Sequence, residues 1–371
     1  MTPCVGVFSC VSMRTIFWDY DKHALCLIDQ RRLPGRLEVV SLDSCGEVAE
    51  AIKNMTVRGA PAIGVAAAFG LVLAANESHA QSVDQFISDL ENAASLLKAS
   101  RPTAVNLAWA LNRLFVIIYR DIKENSVDWA RKILLSEAQR LADEDVIINM
   151  RIGEYGAELI DEGDTILHHC NTGALAAVDW GTALGVIRTA FEHGKHVHIL
   201  VSETRPRLQG SRLTAWELEQ YGIPYEIISD NMAGYFLSSG QVQKVLFGAD
   251  RISANGDVVN KIGTYMMALA ASDNGVPVYS VAPSSTIDLS MSDGRNIPIE
   301  ERDPDEVLGI QFHGESASPQ GAKARNPAFD ITPNRLITAI VTENGIVRPP
   351  FDVNLPKFVI TDQVIGPRAE K

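Results

Sequence analysis

Two residues of this 371-residue sequence close strongly apolar runs with side chains able to do acid–base or nucleophilic chemistry: Cys170, ending TILHHC, and Asp250, ending KVLFGAD. The polar turn after Cys170, Asn171-Thr172-Gly173-Ala174, predicts backbone N–H groups and a helix N-terminus near the sulfur. Both favour negative charge and would lower the thiol pKa. The competing reading is a small buried hydrophobe at a strand end, the state of most free cysteines. A carboxyl leaving a dry strand, as Asp250 does, is either paired or has a raised pKa, and a raised pKa makes a general acid. A bond from Asp250 to Arg251 is disfavoured because neighbouring strand residues face opposite ways. A cap within the ISANGD loop is the other structural role open to Asp250. Asp257, in Asn255-Gly256-Asp257, reads as a turn residue.

Anion-binding candidates cluster before helical segments. Arg58-Gly59-Ala60 precedes the helix APAIGVAAAFG, so that free N–H groups, the helix dipole and one guanidinium would converge. Asn260-Lys261-Ile262-Gly263-Thr264 is predicted to open a helix in the same way. Arg101, in the turn Ser100-Arg101-Pro102-Thr103, Arg205 and Gln209 complete the set. His168-His169 is an unconvincing metal site, since adjacent strand positions cannot face one ion and no second cluster completes it. No GxGxxG follows a predicted strand and no GxSxG elbow is present, which speaks against a dinucleotide site or a hydrolase triad. The reading requires no metal and no cofactor.

The elements that must hold these residues fall into two textures. Residues 13–40 alternate apolar and polar positions around turns, predicting a small antiparallel meander. From Ser44 the period becomes helical, with Ser44 and Ser82 as caps, a small-residue apolar helix over 60–75, another beginning at Asn106 and more helix over 127–160. From Asp164 short apolar runs alternate with helices (TILHHCN, HVHILVSE, PYEIISD, KVLFGAD, PVYSVAP), and each run ends in polar residues. Such a series predicts a doubly wound, Rossmann-like parallel sheet whose ligands bind beyond the carboxyl ends of its strands. The expected organisation is an N-terminal extension over 1–12, a β-plus-helical domain over 13–160 and a catalytic α/β domain over 161–371.

Composition narrows the partners. The formal charge is −13, from 33 basic and 46 acidic residues with no basic run, which argues against nucleic acid. Five scattered cysteines without CxxC spacing indicate a reducing compartment rather than a disulfide framework. The sequence offers no obvious transmembrane stretch, and its first twelve residues lack the basic start and long apolar core of a signal peptide. The cytoplasm is the expected compartment, with the nucleus as the alternative.

The segments VRGAPAIGVAAAFG, SRPTAVNLAWAL, HHCNTGALA, ETRPRLQGSRLTAWEL, DNMAGYFL, GADRISANGDVVNKIGTY and NPAFDITP occur in order. Through them the chain, over roughly residues 13–362, resembles the methylthioribose-1-phosphate isomerases of methionine salvage. These belong to a superfamily shared with regulatory subunits of translation initiation factor 2B. The family usually has Thr-His-Cys-Asn where this chain has His168-His169-Cys170-Asn171, and His168 is expected to face away from Cys170. The resemblance implies an aldose–ketose isomerase with Cys170 and Asp250 as catalytic residues. It implies substrate binding by Arg58, Gly59, Ala60, Arg101, Gln209, Asn260 and Lys261, with Arg101 resting on the resemblance alone. It also implies a homodimer. An apolar pocket for a methylthio group is expected around Val57, Pro61 and Trp109.

Overall fold

The computed structural model describes residues 14–102 and 104–359. The expected N-terminal extension over 1–12 lies outside them, as do residues 13, 103 and 360–371. The chain opens with an antiparallel three-stranded sheet, β1 (Ile16–Asp19), β2 (Ala24–Ile28) and β3 (Val39–Leu42), in that order. Five helices follow: α1 (Cys45–Lys53), α2 (Ala60–Glu77), α3 (Val83–Ser100), α4 (Val105–Asp121) and α5 (Val127–Ala157). Ser44 caps α1 and Ser82 caps α3, each side chain accepting the N–H three residues on.

Helix α2 is apolar on every side, so it can be satisfied only by burial all round. It lies at the centre of the helical core, with Gly64 against the backbone of Asn106 and Gly70 against Leu97 and Val48. By length and composition α2 could span a bilayer, but 78% of it is buried inside the protein, as in the core helix of a globular fold. Helix α5, 31 residues long, belongs to two cores. Ala130, Leu134 and Ala138 pack with α2, whereas Ile152 and Ala157 pack on the sheet described next.

From residue 164 the chain alternates β4 (Thr165–His168), α6 (Ala183–Glu192), β5 (His198–Ser202), α7 (Ala215–Tyr221), β6 (Tyr225–Ile228), α8 (Ala233–Ser238) and β7 (Lys244–Phe247). A hairpin of β8 (Arg251–Ser253) and β9 (Val258–Lys261) is followed by α9 (Thr264–Asp273), β10 (Val278–Val281) and the short strands β11 (Ile287–Asp288), β12 (Gln311–Phe312) and β13 (Glu315–Ser316). Strands β14 (Phe329–Thr332), β15 (Ala339–Thr342) and β16 (Gly345–Val347) complete the described strands. The fold is mixed α/β, with a seven-stranded sheet in the order β16-β15-β10-β7-β4-β5-β6, parallel except for β16.

Both faces of this sheet are covered, which explains its unbroken apolar runs. Alternate residues feed opposite cores: Ile166, Ile199, Val201 and Leu246 on the α5/α6 side, and Leu167, Leu200, Val245 and Phe247 on the α8/α9 side. A second sheet, β11-β8-β9-β14, stands beyond the carboxyl end of β7. The order matters for function. After β4 the chain builds outward through β5 and β6, then returns to place β7 on the other side of β4. The crevice between β4 and β7 is therefore the topological switch point, where open α/β sheets bind ligands.

Candidate functional site

A cleft of about 790 Å³, counting its solvent-open part, lies beyond the ends of β4 and β7. Nine of the candidates from the sequence line it: Arg58, Gly59, Ala60, Arg101, Cys170, Gln209, Asp250, Asn260 and Lys261. They arrive from the start of α2, the end of α3, the end of β4, the loop before α7, the loop after β7 and the end of β9.

Cys170 follows β4 with φ +65°, a left-handed conformation that costs a non-glycine residue energy and persists only when its surroundings enforce it. Two threonines do so. The Cys170 N–H donates to Thr204 Oγ1 at 2.9 Å, and Thr214 Oγ1 donates to the Cys170 carbonyl at 2.7 Å. Thr204 is held in turn by Asp230, whose carboxylate accepts the N–H groups of Thr204 and Arg205 at 2.7 Å each. The sulfur is buried, and burial pushes its thiol pKa up. Arg58, Lys261 and the N–H of Asn171 pull it back without reversing the direction. The expected lowered pKa is thus corrected. Gly173 leads into a 3-10 turn over 174–176 rather than a long helix, so no macrodipole points at the sulfur.

Asp250 lies three residues beyond the last residue of β7, its N–H bonded to Val259 O at 2.9 Å. Gly248 allows the approach, since a Cβ there would lie 2.9 Å from Thr172 Cγ2. Burial raises the Asp250 pKa, opposed by Lys261, Arg101 and Arg58 and reinforced by Glu300. Desolvation outweighs the three cations and shifts the carboxyl toward its neutral form. Arg251 points elsewhere, to Asp288 at 3.8 Å.

Two buried polar side-chain atoms of cleft-lining residues have no hydrogen-bond partner among the described residues: Arg101 Nε and Gln209 Oε1. Buried polar groups are almost always satisfied, so both atoms are candidates to meet a ligand. The N-terminus of α2 also opens on the cleft through Gly59, Ala60 and Pro61. Its cap is Gly59, at φ +103°, with no side-chain capping bond. The second expected helix-terminus site is corrected. Asn260 and Lys261 sit on strand β9, and the N-terminus of α9 is already occupied by Asp330, which accepts from Gly263 N at 2.7 Å and Tyr265 N at 3.1 Å. Lys261 instead donates to Ala328 O at 2.7 Å beside the Phe329 ring, and burial lowers its pKa.

Other expectations resolve differently. Arg205 turns away from the cleft, its guanidinium on Pro206 O and Val307 O. Pro61 lines the cleft, but Val57 is buried in the helical core and Trp109 is 41% exposed beside Arg113. The apolar wall comes from Met55, Val281, Pro283 and Phe329. Asp257 is more than a turn residue: its carboxylate ties Asn255, Gly294 and Asn334 together. His168 is fully buried outside the cleft, its pKa pushed down to about 3 by burial, and its Nε2 faces Thr172 Oγ1 at 3.3 Å. His169 bridges Ser202 Oγ and Ile262 O, and no group of three metal-ligating residues occurs among the described residues. The sequence reading missed Arg302, which lines the cleft and pairs with Glu300 and Glu306. It lies in an irregular loop shortly before a four-residue helix, Asp305–Leu308, with no apolar run or helical period to signal it.

Comparison with known proteins places this geometry. The profile of the Initiation factor 2 subunit family matches residues 56–349. A methylthioribose-1-phosphate isomerase of Desulforamulus reducens is 51% identical over 346 residues, 93% of this chain and 99% of that protein. The crystal structure of 5-methylthioribose 1-phosphate isomerase from Pyrococcus horikoshii superposes with a TM-score of 0.85 at 46% identity, covering 93% of this chain and 95% of the other. A structure described as translation initiation factor eIF-2B, subunit delta, from A. fulgidus has a TM-score of 0.81 at 45% identity, covering 94% and 99%. The chain belongs to the Initiation factor 2 subunit family and, within it, to the methylthioribose-1-phosphate isomerases.

Proposed function

We propose that the chain converts 5-methylthioribose 1-phosphate to 5-methylthioribulose 1-phosphate, with Asp250 and Cys170 as its catalytic residues. One observation carries the reading beyond family membership. A buried carboxyl held toward its neutral form shares a cleft with Cys170, Arg58, Arg101 and Lys261. The phosphate on the anomeric carbon blocks spontaneous ring opening, so the ring oxygen must be protonated while hydrogen moves from C2 to C1. A neutral Asp250 is suited to donate that proton. The α2 N-terminus at Gly59-Ala60, with Arg58, Arg101, Gln209, Asn260 and Lys261, would hold the phosphate and hydroxyl groups. The raised thiol supports a Cys170 that rests neutral. It then stabilises the transition state in a dry pocket rather than waiting as a thiolate base.

The mainly helical part over 13–160 supplies the anion-binding helix start, and the Rossmann-like part over 161–371 supplies the acid and the thiol. The exposed apolar residues Met232, Tyr235, Met266 and Leu269, on and beside the packed helices α8 and α9, support a homodimer. The similarity to the A. fulgidus protein raises a non-catalytic subunit as the rival reading. Turnover decides between them. The protein should isomerise 5-methylthioribose 1-phosphate in strong preference to ribose 1,5-bisphosphate. The Asp250→Asn and Cys170→Ser variants should each lose on the order of 10²–10⁴-fold in kcat while folding normally. Near-wild-type turnover by either variant would remove that residue from the mechanism, and no turnover by the wild type would favour the rival.

A further inference from the structure

Glu217, on α7, is fully buried, and the chemistry above does not use it. Its Oε1 accepts from Asn171 Nδ2 at 2.7 Å, and its Oε2 accepts from the Ala174 N–H at 2.7 Å and the Tyr221 hydroxyl at 3.3 Å. These bonds orient the Asn171 amide. With Nδ2 committed to Glu217 and Thr214 Oγ1, Asn171 Oδ1 is turned toward Arg58 Nη2. The Asn171 carbonyl takes Arg58 Nη1 at 3.0 Å, and Gln30 Oε1 takes Nε at 3.1 Å. Every nitrogen of the guanidinium therefore has an assigned acceptor, and two of the three sit on the residue following Cys170. The turn is built tightly around the carboxylate: a Cβ at Gly173 would lie 2.6 Å from Glu217 Cδ.

We propose that Glu217 is a positioning residue, acting through the Asn171 amide to hold the Arg58 guanidinium against the Cys170 turn. The proposal rests on Cys170 being part of the site. A glutamine side chain in place of Glu217 cannot accept from both Asn171 Nδ2 and the Ala174 N–H, because one of its two ends is now a donor. The relief available is a flip of the Asn171 amide, which presents its NH₂ to Arg58 and drives the guanidinium away.

The charged and titratable groups around this array are few. Glu217 faces Arg58 and Tyr221, with Arg188 stacked 4.6 Å from the Tyr221 ring and Asp179 acting on Tyr221. Arg58 also feels Asp250 and Arg212, and Cys170 feels Arg58, Lys261 and Asp250. Positioning and simple charge removal predict opposite signs. Losing only the negative charge of Glu217 would strengthen the field of Arg58 at the sulfur and lower the thiol midpoint. Losing the orientation of Arg58 raises it.

The test uses the full-length protein. Iodoacetamide alkylation of Cys170 is followed against pH by peptide mass spectrometry, which separates it from Cys4, Cys10, Cys26 and Cys45. The kcat and KM for 5-methylthioribose 1-phosphate are measured in parallel. In Glu217→Gln the midpoint should rise and kcat/KM should fall about 10- to 100-fold, the loss expected for one or two hydrogen bonds to a charged group. In the double variant Asn171→Asp/Glu217→Gln, the new carboxylate accepts both from the introduced glutamine amide and from Arg58. The midpoint should return to the wild-type value and most of kcat/KM should recover. A midpoint that falls or stays put in the single variant overturns the proposal, as does a double variant no better than the single. If Glu217→Gln does not fold, the double variant decides alone, since its net charge matches the wild type. The alkylation arm needs no turnover, so failure of the proposed reaction would not be mistaken for failure of the positioning role.

Discussion

Gly59→Ala tests whether the anion site depends on close approach of the α2 N-terminus to the turn after Cys170. At Gly59 φ is +103°, and a Cβ built there would lie 2.5 Å from Ala176 Cα and 2.7 Å from Ala176 C, nearer still to its carbonyl oxygen. All three obstacles are backbone. Ordinary contact begins at 3.4 Å, so the two segments must separate by at least about 0.9 Å to clear the Cα, and by more to clear the oxygen. The backbone strain of an L-residue at this φ adds roughly 1–3 kcal/mol. At about 2–4 °C per kcal/mol, Tm should drop several degrees. The catalytic cost is larger in proportion, because a misplacement of about 1 Å can cost on the order of 10²-fold in rate. Gly163→Ala is the control. It carries the same kind of φ, +81°, with nothing within 4 Å of the added Cβ, in the turn before β4. It should lose stability through strain alone and keep kcat/KM. Both variants are compared by thermal melts and by initial-rate assays with 5-methylthioribose 1-phosphate. If Gly59→Ala retains the kcat/KM of the control, the close approach does not build the site and the reasoning fails.

Two further outcomes follow from the electrostatics. If Asp250 donates its proton, the alkaline limb of kcat/KM reports its ionisation, and Lys261 is the strongest cation lowering that pKa. Lys261→Met should raise KM and move the alkaline limb to higher pH, whereas a limb that moves down or stays would assign it to another group. Glu306 is held down to about 2: burial raises its pKa, but hydrogen bonds from Arg302 and Arg207 outweigh burial. Its folded pKa lies below the usual 4.5, so its stabilisation is complete above that value and is lost as pH falls through about 2. Glu306→Gln should cost roughly 1–3 kcal/mol near neutrality, with the gap closing in acid urea melts. It should also raise KM by loosening Arg302; equal stability of the two proteins at pH 7 would remove the ion pair from the account.

Much of the local structure was legible because it follows from local rules. The Ser44 and Ser82 caps, the all-apolar α2 and the strand runs each depend on residues within a few positions of one another. The site was readable as a list for the same reason, since polar residues just past apolar strands have few structural uses. The list was silent about Arg302, whose position in an irregular loop follows from ion pairs to Glu300 and Glu306. The reading also set Asn260 and Lys261 at a helix start rather than on a strand, because helix propensity from residue 264 onward says nothing of the pairing that makes 258–261 a strand. That pairing comes from β14, about 70 residues away, whose Asp330 lies opposite Asn260.

The sequence by itself determined that Cys170 and Asp250 stand just beyond the ends of buried strands, each with a turn able to approach a ligand. Only the tertiary structure brought them to one cleft. Residues 165–168 and 244–247 are adjacent strands because the chain reverses its direction of growth across the sheet, a non-local choice set by which faces the helices cover. The directions of the pKa shifts were decided at the same level. The turn after Cys170 suggested a lowered thiol pKa, but the finished fold removes the sulfur from water, and burial outweighs both nearby cations. Desolvation is a property of everything packed around a group, so no local stretch of sequence could have fixed its sign.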